Sequence, residues 1–106
     1  MSKTLDQILR EYRRGLEAIY GPRLARIILF GSRARQDAQP DSDIDIVVVL
    51  RGPVDPNEEI RRLSSVSATL SLKYDVVISA VYVSEDDYDS QDSALLMNVR
   101  REGILV

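Results

Sequence analysis

The chain has 106 residues, 44% of them apolar, a formal net charge of −3 at pH 7, no cysteine and no histidine. That length and apolar content suit one small domain with an ordinary core. The composition excludes disulfides, thiolate zinc sites and imidazole as ligand or base, so any catalysis must rest on carboxylates, basic side chains and bound ions. The charge is unevenly placed: residues 1–35 carry eight Lys and Arg against three Asp and Glu, and residues 36–106 carry six against fourteen. The basic first third suits an anionic ligand such as a triphosphate. The acidic remainder argues against broad nucleic-acid binding, which needs a basic stripe, and suits a basic partner or plain solvated charge. No apolar run is long enough to span a bilayer, and the N-terminal segment lacks a signal peptide's apolar core. The expectation is a single cytoplasmic domain covering residues 1–106.

Residues 4–20 read as an amphipathic helix. Thr4 and Gln7 form a capping box, and Leu5, Ile8, Leu9, Tyr12, Leu16 and Ile19 share one face. Gly21-Pro22 ends it. Leu24 to Phe30 is a first strand, and Gly31-Ser32 turns the chain into a loop over residues 36–41. Asp43 to Leu50 is a second strand, whose run of β-branched residues predicts burial on both faces at its far end. Asp55-Pro56-Asn57-Glu58 starts a helix that runs to about Leu72, with Ile60, Leu63, Val66 and Leu70 as its apolar stripe. Tyr74 to Val83 is a third strand. Ser84 caps a short acidic turn, residues 93–101 form a last helix, Gly103 fits its C-terminal cap, and Ile104-Leu105-Val106 is a short apolar tail. The five tyrosines read as core or rim residues. The order α-β-β-α-β-α predicts an α+β domain: a small mixed β-sheet with helices packed on one face.

The chemistry is concentrated between Leu29 and Val49. The first strand ends abruptly in Gly31-Ser32, and Asp43 and Asp45 follow, one residue apart on the second strand. Side chains alternate along a strand, so the two carboxylates point the same way and Ile44 and Ile46 the other. Two adjacent carboxylates repel unless a cation sits between them, and an all-oxygen set favours Mg²⁺, Mn²⁺ or Ca²⁺. Gly31 permits a close backbone approach to a phosphate, Ser32 offers a hydroxyl and an N–H, and the guanidinium groups of Arg33 and Arg35 suit phosphate oxygens. Together these residues suggest a nucleoside triphosphate site.

Gly31-Ser32, ten residues, then Asp43-x-Asp45, flanked by Arg33, Ala34, Arg35, Asp37, Pro40, Asp41 and Ser42, resembles the signature of nucleotidyltransferases with the DNA-polymerase-β-type palm. Within them it resembles the minimal nucleotidyltransferase (MNT) group, whose members pair as antitoxins with HEPN-domain toxins. Gln36 and Gln39 depart from that pattern, which commonly has glycine and arginine there. The resemblance implies a metal-dependent transfer of AMP from ATP to a hydroxyl of a partner HEPN toxin, tyrosine being the expected acceptor. It makes Asp43 and Asp45 bridging ligands for two Mg²⁺ ions, with Mn²⁺ an alternative. The third carboxylate must face the same side from a neighbouring strand, and Asp75 is the candidate. Asp41 shares their parity but reads as a loop or strand-start residue. One of Arg33 and Arg35 contacts the triphosphate or the leaving pyrophosphate; the sequence leaves open which. A homo- or hetero-oligomer is expected. Two other readings remain at this point: an antitoxin that neutralises by binding alone, and a nucleotidyltransferase acting on a small molecule.

Overall fold

The computed structural model describes residues 3–31, 34, 43–90 and 93–106. Helix α1 (Lys3–Tyr20) leads through a 3₁₀ turn (Gly21–Arg23) into strand β1 (Leu24–Phe30). Strand β2 (Ile44–Leu50) follows, then α2 (Pro56–Tyr74), β3 (Ile78–Ser84), α3 (Glu85–Ser90), α4 (Ala94–Glu102) and β4 (Ile104–Leu105). The sheet order is β3-β2-β1-β4, with β1 antiparallel to both β2 and β4 and β2 parallel to β3. This is the mixed α+β architecture the sequence pattern implies.

Strand β2 is the spine of the sheet. Six of its seven residues are buried and only Asp45 is partly exposed. Ile44, Ile46, Val48 and Leu50 point into a core built with α1 and α2, where Leu5, Ile8, Leu9, Tyr12, Leu16, Leu63 and Leu70 meet them. Val47 and Val49 point the other way, against Tyr88, Leu96 and Val99 of α3 and α4. Each such aliphatic side chain contributes about 1.5–3 kcal/mol when fully buried. The expected single helical layer therefore holds for the two long helices only. The two short ones form a second, smaller layer, because the β-branched run of β2 is apolar on both faces.

Three further differences from the sequence reading have physical causes. Helix α2 runs to Tyr74, past Leu72, because Lys73 and Tyr74 both bond Glu11 of α1, the lysine at 2.7 Å. Its buried stripe is Glu59, Leu63 and Leu70, with Val66 partly buried beside them, and not Ile60, which is 54% exposed. Glu59 occupies the helical position an apolar residue would take. It is satisfied there: the Tyr20 hydroxyl donates to its Oε1 at 2.9 Å and the Asp55 amide to its Oε2 at 3.3 Å. Third, the apolar tail is a strand, with Ile104 and Leu105 paired to Leu29 and Ile28 and the Val106 amide donating to Ile27. Thr4 lies inside α1, which is already helical at Lys3. Other local signals are present as read. Asp55 accepts from the Asn57 amide at 3.1 Å, Ser84 from Asp87 at 3.1 Å and Ser93 from Leu96 at 3.2 Å.

Gly103 follows α4 in an extended conformation and not the left-handed one of a typical glycine cap. Its glycine is required by packing: a Cβ there would lie 2.5 Å from Ile28 Cγ2 and 2.5 Å from the Val99 carbonyl. Relief of that clash must move the turn from α4 into β4. Gly103→Ala is expected to lower the unfolding free energy by about 1–3 kcal/mol, read as a lower urea midpoint at unchanged slope.

Candidate active site

The site lies where β1 ends and β2 begins. Phe30 and Asp45 are cross-strand partners, so Gly31 leaves the sheet beside the Asp45 side chain. Gly31 has φ +74°, in the left-handed region where a side chain is strained. A Cβ on it would also stand 2.6 Å from Asp45 Oδ2. Two independent constraints thus call for glycine here. The Gly31 carbonyl accepts from the Ala34 amide at 3.1 Å, and Ala34 is buried in the core under α1 and α2. The chain therefore turns at Gly31 toward that core, while Asp45 faces the other side of the sheet.

Asp43 is exposed and sits one residue before the strand. The Ile44 amide donates to the Val77 carbonyl at 2.8 Å, which fixes the start of β2 against the segment entering β3. The Asp45 carboxyl is held above the usual carboxylate range, first by burial and then by the negative charge of Asp43. Asp43 is thus near enough for its charge to oppose the ionisation of Asp45. On this face α3 and α4 pack on a cluster of Ile28, Val47 and Val49 with Phe30 and Val83 at its rim, and among the described residues Asp45 remains partly exposed beyond it.

Asp75 is not drawn into this pair. Where the sequence reading starts a strand at Tyr74, α2 continues, and Asp75 becomes its C-cap in a left-handed conformation (φ 52°, ψ 52°), its amide bonded to Ser71. It is exposed and precedes β3 by three residues. Among the described residues no group of three His, Cys, Asp or Glu is placed to hold one ion. Ser32, Arg33, Arg35 and Asp41 lie outside the described residues. The residue across from Asp45 on β3 is Ser79, which sequence reasoning missed. Only the strand register reveals it, since nothing about an isolated serine marks it. A cavity of about 330 Å³ lined by Gln7, Arg10, Glu11 and Arg14 belongs to α1, across the sheet from Asp45, and is separate from this site.

Comparison with known proteins agrees with this layout. The family model for the nucleotidyltransferase domain matches residues 9–96. A protein of Methanocaldococcus jannaschii, provisionally named a protein adenylyltransferase, is 37% identical over 99 residues, covering 92% of this chain and 93% of its own. A second from the same organism, with the same provisional name, is 32% identical over 75 residues, covering 71% and 75%. Among solved structures, a toxin–antitoxin complex with AMP-PNP shares the fold at a TM-score of 0.63 and 23% identity, over 94% of this chain and 69% of that one. The complex of a tri-AMPylated Shewanella oneidensis HEPN toxin with its MNT antitoxin shares it at 0.56 and 22%, over 94% and 66%. With the glycine turn packed on the first carboxylate strand, and with the family match running through both, the chain belongs to the nucleotidyltransferase domain family.

Proposed function

We propose that this protein transfers AMP from ATP to a tyrosine hydroxyl of a HEPN-domain toxin and thereby acts as its antitoxin. The observation that carries the reading is the contact of Gly31 with the Asp45 carboxylate, with Asp43 beside it. It places a left-handed glycine directly beside the carboxylate of the strand that follows. The names of the M. jannaschii relatives and the AMPylated toxin complex support the direction of transfer and the class of acceptor.

The donor set fits a hard divalent cation. Two carboxylates on one side of a strand, one with its ionisation already opposed by the other, are the ligands such an ion stabilises. Asp43 and Asp45 would hold Mg²⁺, or Mn²⁺, while Asp75, the exposed C-cap of α2, is not grouped with them. When bound, the ions neutralise phosphate charge and sharpen the acceptor hydroxyl as a nucleophile. The chain's own work is positioning. Gly31 admits the triphosphate close to the backbone. Ser32, Arg33 and Arg35 are the candidates to hold its β- and γ-oxygens through N–H, hydroxyl and guanidinium donors. The acceptor oxygen then bonds to the α-phosphorus, the bond to pyrophosphate breaks, and the hydroxyl proton passes to solvent.

The test is the intact mass of the protein that co-purifies with this chain from its native cells, before and after ATP and Mg²⁺. Gains of one or more adenylates on the partner are expected, and Asp43→Asn/Asp45→Asn should cut the rate by about a thousandfold or more. A bound partner that never gains mass would replace transfer with neutralisation by binding. Gly31→Ala should lower transfer by about a hundredfold, since displacement of a reacting group by an ångström has that effect. Its kcat should fall while the chain still folds.

Asp45 also predicts a trade of stability for function. Burial and the charge of Asp43 hold its folded-state pKa above that of a free aspartate, so its ionised form destabilises the fold. That cost is absent at low pH and appears as pH rises through the folded-state pKa. Asp45→Asn should therefore melt higher than the unsubstituted chain at pH 7 in metal-free buffer, and the advantage should vanish as pH falls below that of carboxylate titration. Mg²⁺ should raise the melting temperature of the unsubstituted chain alone.

A further inference from the structure

Strand β3 is the outer strand of the sheet, and among the described residues no strand pairs with its far side. Its parallel ladder with β2 engages the backbone groups of Val77, Ser79, Val81 and Val83. The N–H and C=O groups of Ile78, Ala80 and Tyr82 therefore point out of the sheet. Natural edges are usually blunted by charge, proline, a bulge or shortness. The sequence ISAVYVS has seven residues, no charge and no proline. Its side chains on the Asp45 face include Val77, 59% exposed, and Val81, 36% exposed, with Ser79 between them.

Resting on the transfer to a protein hydroxyl proposed above, we infer that this edge is where the acceptor protein docks. An extended segment of it adds a strand antiparallel to β3 and presents its tyrosine opposite Ser79. The register places that residue two strand spacings from Asp45, roughly 10 Å, on the same face. Serine and threonine side chains are too short to return across that span. Tyrosine is the hydroxyl side chain with the reach, and Ser79 is small enough for its ring to lie over, between the two exposed valines. The edge thus supplies a geometric reason for tyrosine as the acceptor.

Charge selects the occupant. Helix α3 follows β3 directly with Glu85, Asp86 and Asp87. A second copy of this chain, paired antiparallel, would bring its own acidic α3 toward the end of β3 that the exposed Asp75 precedes, which is unfavourable. A partner segment with lysine or arginine on the N-terminal side of its tyrosine places those charges against α3.

The test uses the acceptor protein isolated by co-purification. Hydrogen exchange should show the amides of Ile78, Ala80 and Tyr82 protected in the complex relative to the free chain. Ala80→Pro removes an outward N–H and sets its ring on the edge while leaving the ladder to β2 intact. It should lower kcat/KM for the protein acceptor by about tenfold or more, the effect of losing one well-formed contact, with ATP affinity unchanged. Val81→Lys, on the exposed face, is the second variant and should act in the same direction. AMP transfer with these three amides exchanging as in the free chain would overturn the docking edge and leave the enzymatic reading intact. Protection of the amides with no transfer would uphold the edge and overturn the enzymatic reading.

Discussion

The structure depends on one strand that is buried on both faces yet must carry charge at its end. Strand β2 sits between β1 and β3 and has cores on either side, so its six aliphatic residues have no route to solvent. Carboxylates in such a strand are tolerable only where a covering layer stops. Asp45 occupies that place, beyond the reach of α3 and α4, with Asp43 just outside the strand. The strand holds the Asp45 carboxyl where burial and the nearby charge of Asp43 both oppose its ionisation.

The remainder of the sheet arranges itself around that end. Strand β1 delivers Gly31 next to Asp45 through the pairing of Phe30 with Asp45. The buried Ala34 then draws the chain toward α1 and α2 and away from the open face. The two helical layers divide the work. α1 and α2 enclose the larger core, tied by the buried Glu59–Tyr20 pair at one end and by Glu11 with Lys73 and Tyr74 at the other. α3 and α4 cover the opposite face around Ile28, Val47 and Val49.

Much of this was legible in the residues. The strands β1 and β2, the Asp55, Ser84 and Ser93 caps and the pairing of Asp43 with Asp45 follow from local rules. Glu59 was not legible, because the helical period marks its position as inward but the residue type marks it as outward. Only the tyrosine and amide that reach it from elsewhere reconcile the two. Asp75 shows the same limit. Val76-Val77-Ile78 reads as a strand that begins at the aspartate, yet Lys73 and Tyr74 extend the helix through contacts with a residue more than sixty positions away.

The sequence by itself determined the family, the glycine turn and the identity of the carboxylate pair, because strand periodicity and a glycine's freedom act within a few residues. Only the fold shows which face Asp45 occupies, that Ser79 stands across from it, and that among the described residues no strand pairs with the far side of β3. Those facts arise from strand register and layer packing, which join residues far apart in the chain and leave no mark on any local pattern.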